Sequence, residues 1–214
     1  MPLPRQAIQR HFAGCRELPG EFQWLRTPYP DRLFTFTGSA LRLHGRESVG
    51  SWFEQSLVAR RQEDFAFRAQ TAIEFSPHNY QQVAGLTHYY NRFKFHFMAV
   101  TWHETLGRVL TLMSCVGDWP DGRLVFPLSA PIALPASGAV KLAAAVDGAG
   151  LQFSYDAGAG WCDAGPVLDA SVISDEGGRG AFGSFTGAFI GMLAFDTSGA
   201  ALPADFSHFD YSPT

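Results

Sequence analysis

Phe65-Ala66-Phe67-Arg68-Ala69-Gln70-Thr71-Ala72-Ile73-Glu74-Phe75 decides the fold class, because its odd positions are mostly apolar and its even positions mostly polar or small. Successive side chains of a β-strand point to opposite faces, so this stretch predicts a strand with one buried face and one wetter face. Phe93-Lys94-Phe95-His96-Phe97-Met98-Ala99-Val100 repeats the pattern, and strand-period alternation runs nearly unbroken to Trp102. A helix would need apolar residues at three- and four-residue spacing, which neither stretch shows. Any chemistry is therefore expected on a sheet face or in loops.

Working outward, further strand-like runs cover 33–37, 41–44, 56–61, 83–90, 109–115, 124–128, 140–146, 151–155, 185–195 and 206–211. Turn signals such as Asn91-Arg92, Leu106-Gly107, Ala136-Ser137-Gly138 and Ser198-Gly199 separate many of them. Asp147-Gly148 between two such runs predicts a hairpin with a type I′ turn, since both residues tolerate positive φ. Short strands with frequent turns bury one face each most economically as two packed antiparallel sheets, a sandwich or jelly roll. No internal repeat supports a propeller. Residues 1–20, with Pro2, Pro4 and Pro19, read as a lead-in segment or the remnant of an interdomain linker, and 21–214 as a single β-sandwich domain.

The bulk numbers agree. A 214-residue chain with 46% hydrophobic residues and 19 Phe can fill one aromatic-rich core, and its 22 Gly and 13 Pro suit many turns. A net charge of −4 supplies no concentrated cationic face for nucleic acid or an anionic membrane, and Arg60-Arg61 is the only adjacent basic pair. Cys15, Cys115 and Cys162 are sparse and lack CxxC spacing. With no apolar h-region after Met1 and no run of ~20 apolar residues, they read as reduced thiols of a soluble, cytoplasmic chain.

Several constellations bear on chemistry. Asp118 and Asp121 bracket Trp119-Pro120, and Asp175-Glu176 adjoins the Gly-rich stretch from Gly177 to Gly183. A glycosidase acid and base must converge to roughly 5–9.5 Å across a substrate, which adjacency in sequence does not supply. The first pair reads as turn chemistry, the second as a loop cap or a calcium ligand rather than an acid and base. His88, His96 and His103 favour surface or cross-strand roles over a metal site, and Gly183-Ser184-Phe185-Thr186-Gly187 does not fit a nucleophile elbow. Trp52, Phe53, Tyr80, Tyr89, Tyr90, Trp102, Trp119 and Trp161 could stack on sugar rings, although most aromatics must fill the core.

Two long blocks carry a family resemblance: Leu41 to Ser48 leading into Phe53 to Gln62, and Gly165 to Ala170 followed by Ser174-Asp175-Glu176 and Phe185 to Gly191. Tyr80 to Leu86 with Tyr89-Tyr90-Asn91, and Gly107 to Leu110 with Ser114-Cys115, match as well. From about Phe22 to Tyr211 the chain resembles the C-terminal concanavalin-A-like β-sandwich of family-43 glycoside hydrolases, the β-xylosidase and α-L-arabinofuranosidase group. The resemblance implies a partner: a five-bladed catalytic propeller bearing a general-base Asp, a general-acid Glu and an Asp that tunes the acid. None of the three maps onto this chain, so the chain alone is expected to be inactive. It also implies that a sandwich loop sets a Phe against the bound sugar. Phe185 holds the matching position, flanked by the loop residues Phe182, Gly183, Ser184, Thr186 and Gly187. Phe182 is the neighbouring alternative, and a third reading has Phe185 opening a core strand.

The leading expectation is thus an accessory module that packs on a propeller and completes a xylosyl or arabinosyl pocket. The alternatives are an autonomous lectin-like carbohydrate-binding module and an independent hydrolase using Asp175 or Glu176. No cofactor is expected. Calcium is compatible with such a sandwich, but no Asp-x-Asp run selects a site. An uncovered propeller-facing surface would also favour a homo-oligomer.

Overall fold

The computed structural model describes residues 6–117, 122–177 and 185–214. Its strands in chain order are β1 (Ile8–His11), β2 (Phe22–Trp24), β3 (Phe34–Phe36), β4 (Leu41–His44), β5 (Ser56–Arg61), β6 (Ala66–Glu74), β7 (Gln82–Asn91) and β8 (Lys94–His103). They continue with β9 (Gly107–Cys115), β10 (Ile132–Ala133), β11 (Val140–Asp147), β12 (Gly150–Asp156), β13 (Cys162–Asp163), β14 (Leu168–Asp169), β15 (Phe189–Asp196) and β16 (Pro203–Pro213). Among the described residues there is no α-helix, only short 3-10 turns at Pro30–Arg32 and Ala170–Val172. No helix there is long and apolar enough to cross a membrane.

One sheet has the order β13-β12-β11-β6-β16-β4-β3, with β1 on β16 and β14 on β12. The other runs β10-β9-β8-β7-β15-β5-β2. The named pairs are antiparallel, as the jelly-roll reading requires. Phe67, Ala69 and Ile73 of β6 meet Leu86, Met98 and Met192 of the facing sheet in the main core. The alternation of β6 is the expected one, with Phe67, Ala69, Thr71 and Ile73 buried and Arg68 and Gln70 less so.

The second sheet departs from its expected pattern. β7 and β8 are buried on both faces nearly throughout. Ala84, Leu86, Met98 and Val100 face the core, while Tyr89, Phe95, Phe97, Ala99 and Leu193 form a second apolar cluster on the far side. Val49 and Leu25 pack there, so the side of this sheet expected to be wetter is covered. Close packing shows in Gly191, where an added Cβ would lie 2.4 Å from the Ala59 Cβ on the neighbouring strand.

Three further differences have local causes. Residues 8–11 lie within the lead-in segment, yet they pair with 208–211 as β1, and Phe12 beyond them is fully buried. Only Ile8 is apolar in that strand, so tertiary pairing rather than pattern makes it. Of residues 124–128, only Val125 joins a ladder, in an isolated bridge to Ser114. The 147–150 hairpin exists, but its central residues are Gly148 and Ala149, with positive φ (56°) at Gly148 alone, the II′ pattern rather than I′.

Candidate functional site

Strand β15 begins at Phe189, so Phe185 to Ala188 lie outside it. This overturns the reading of Phe185 as the start of a core strand: its side chain is 92% exposed. Phe182, Gly183 and Ser184 lie outside the described residues, as do Asp118, Trp119, Pro120 and Asp121.

The segment after Phe185 is held by polar contacts rather than by apolar packing. The β15 register sets Phe189 opposite Tyr89 on one side and Arg61 on the other. Arg61 stacks its guanidinium 4.9 Å from the Phe189 ring centre and donates to the Thr186 carbonyl. The Thr186 amide donates to the Tyr90 hydroxyl at 3.3 Å, and the Gly187 amide donates to Asp175 Oδ1 at 3.0 Å. Tyr90 donates its O–H to the same Asp175 oxygen at 2.5 Å. Gly187 has φ of 72°, which a side chain would strain. The Gln62 backbone N–H completes the base by donating to the Ala188 carbonyl at 2.9 Å.

Beside this base lies a cleft of about 670 Å³ lined in part by Gln62, Asp64, Phe65, Ala170, Asp175 and Gly187. Its chemistry is not that of a proton donor. The Tyr90 hydrogen bond, followed by that of the Gly187 amide, holds the Asp175 carboxyl below the usual carboxylate range. An ionised carboxylate committed to two donors is suited to closing a loop, the cap function read from sequence. Glu176 is exposed on the same rim.

Behind the cleft, the sandwich interior is polar at one end. His88 and His96 are cross-strand neighbours, and both are buried. His96 donates from Nε2 to the Asp169 carbonyl at 2.9 Å, which leaves Nδ1 to accept from the Ser114 hydroxyl at 2.9 Å. His88 Nε2 lies 2.8 Å from Gln62 Oε1. Burial, with the neighbouring His96, pushes His88 down to about 3. Arg60 is buried over the Tyr211 ring at 4.1 Å and pairs with Glu63 at 3.0 Å. Tyr211 stacks in turn on Phe67 at 4.7 Å. Among the described residues no group of three or more His, Cys, Asp or Glu is arranged to hold a metal ion.

The aromatic residues divide. Tyr89 and Tyr90 are buried, with Tyr89 donating to Gln55 at 3.0 Å. Arg68 sits over Trp161 at 4.6 Å. Trp52, Phe53 and Tyr80 are exposed. Trp52 stands edge-on to Phe93 (5.9 Å), and the Arg92 guanidinium lies 3.9 Å over Trp52. Tyr80, Arg92 and Phe93 border a second cleft of about 460 Å³ floored by Phe95, Met113 and Phe195. Sequence reasoning missed Tyr90 and Arg61 as supports for Phe185. The one available signal was Arg61 in the adjacent basic pair.

Two antiparallel sheets packed on a main core, with an exposed Phe185 beside a polar loop base, define a two-sheet β-sandwich. The family comparison makes this specific: residues 9–212 match the beta xylosidase C-terminal concanavalin A-like domain. The chain belongs to that family. It is 49% identical over 196 residues to xylosidase/arabinosidase 43B of Humicola insolens, covering 90% of this chain and 36% of that protein. To the beta-xylosidase of Bacillus subtilis (strain 168) it is 39% identical over 194 residues, covering 89% and 36%. The crystal structure of xylan beta-1,4-xylosidase from Bacillus halodurans C-125 superposes with a TM-score of 0.90 at 32% identity, over 99% of this chain and 40% of that one. The chain thus spans little more than a third of these relatives.

Proposed function

We propose that this domain is an accessory module of a β-xylosidase-type glycoside hydrolase. It packs on a catalytic five-bladed propeller and closes the xylosyl or arabinosyl pocket with Phe185, beside Thr186 and Gly187. The observation that carries this reading is the family match over 9–212, set against xylosidase relatives of which the chain spans about a third. A 92% exposed Phe on a pinned base supports the lid role, because exposure of a large ring stabilises nothing in the domain by itself. A ring there excludes water and shapes a small pocket. On this reading residues 1–20 are the passage between domains, tied to the sandwich by β1. An uncovered docking face would drive self-association when the propeller is missing.

The test is to co-express the chain with the catalytic domain of a family relative and assay an aryl β-xyloside. Activity should rise when the domain is present and fall with Phe185→Ala. Equal rates with and without the domain refute the accessory role.

A second reading, an autonomous carbohydrate-binding module, is favoured by the cleft bordered by exposed Tyr80 and by Phe93. Titration calorimetry with xylose and xylo-oligosaccharides separates the two. Millimolar or tighter binding by the chain alone, abolished by Tyr80→Ala, supports the second.

A further inference from the structure

We infer that Asp175 and Tyr90 are positioning residues for Phe185, a polar latch that fixes where its loop emerges from the sandwich; this rests on the lid reading above. The two come from places 85 residues apart in the chain, and their side chains meet at 2.5 Å. Each holds a different amide of the short segment after Phe185. Tyr90 takes the Thr186 N–H at 3.3 Å and Asp175 takes the Gly187 N–H at 3.0 Å. Two consecutive peptide planes are therefore fixed, and with them the direction in which residue 185 leaves the sheet.

The supports are themselves tied into the fold. Tyr90 is 6% exposed near the end of a central strand, and Asp175 follows Ser174, whose hydroxyl donates to the Ser171 carbonyl at 2.6 Å. That hydroxyl also accepts the Gly177 amide at 3.0 Å, and Lys94 donates its ammonium to the Gly177 carbonyl. The latch thus joins a loop stretch, 174–177, to the root of β15 through one carboxylate. Gly suits the bridging position because its φ of 72° lies in the left-handed region that other side chains adopt only with strain.

The experiment reads the latch and the lid separately. Residue-level amide exchange by NMR on the chain carrying Asp175→Ala should show Gly187 exchanging about tenfold faster, with β15 amides unchanged, as expected for one lost hydrogen bond. Tyr90→Phe should do the same at Thr186. Asp175→Asn, whose side-chain oxygen still accepts, should keep Gly187 protected. In the xylosidase assay with a partner catalytic domain, Asp175→Ala should raise KM more than it lowers kcat. It should add nothing to Phe185→Ala, because residues acting as a unit are non-additive. Unchanged exchange at both amides, or additive losses in the double variant, overturns the latch. A Phe185→Ala variant with unimpaired activity overturns the lid reading instead, and the exchange data then still report whether the latch exists.

Discussion

Replacing Phe185 by Ala separates a functional aromatic from a structural one more sharply than any other change in this domain. The ring is 92% exposed, so its removal forfeits almost no burial within the domain. Surface changes of this kind stay within about 0.5 kcal/mol of the parent stability. In a chain of this size that is a shift of at most about 2 °C in Tm. On the proposed lid reading, the balance reverses where the ring covers a sugar. Full burial of a Phe side chain stabilises by about 1.5–3 kcal/mol, which corresponds to about 10- to 150-fold in kcat/KM. A lid ring with one face on the substrate belongs at the lower end, about tenfold. The assay is aryl β-xyloside hydrolysis by the sandwich paired with a family catalytic domain, measured beside the thermal midpoint of the sandwich alone. A drop of more than about 4 °C would show that the ring packs into the fold, and unaltered kcat/KM would refute its contact with substrate.

Other outcomes follow from the packing. Gly191→Ala forces a methyl to within 2.4 Å of Ala59 and of the Val58 carbonyl. It should cost about 1–3 kcal/mol in chemical denaturation, since overpacking inside a sheet has no easy relief. Asp196→Ala removes a buried carboxylate that accepts from the Ser198 and Leu202 amides, both at 2.9 Å, and from Gln82 at 3.3 Å. A loss of about 2–4 kcal/mol is expected from the stranded donors. Acid should also destabilise the domain. His88 is buried neutral with its folded value near 3, below its unfolded value, so its contribution is intact above about pH 6.5. As pH falls from there towards 3 the unfolded chain takes up the proton first. Stability then drops by up to about 1.4 kcal/mol per pH unit for this group. Urea titrations across that window should flatten in His88→Gln; an unchanged slope would contradict the assignment.

Strands whose pattern matches their surroundings were legible in the sequence. Leu41–His44 and Ser56–Arg61 have their expected bounds, and β6 buries the expected face. What escaped was set by partners far along the chain. β1 carries a single apolar residue, and β10, β13 and β14 are two residues long, so none shows a period of its own and each is defined by the strand it borders. The far-side cluster of the second sheet was hidden because alternation predicts two faces but not what covers the second. Within the candidate site, the place of Phe185 came from resemblance and its exposure from the structure. The Tyr90–Asp175 contact had no signal, since pairing across 85 residues leaves no trace in local pattern.

The choice of polar anchors at the base of this loop has its own logic. A Phe near the edge of an aromatic-rich core gains about 1.5–3 kcal/mol by folding inward, so an apolar stalk would draw the ring down with it. Hydrogen bonds from two consecutive amides to fixed side chains constrain direction without offering the ring a hydrophobic seat. Arg61 reinforces the bias: its guanidinium lies over Phe189 and also binds the Thr186 carbonyl, so charge and solvation favour keeping this root at the surface. An outward Phe is thus stable in position although its exposure is unfavourable. That is the arrangement a surface-borne plug requires, since the energy of covering the ring is then released only when something docks against it.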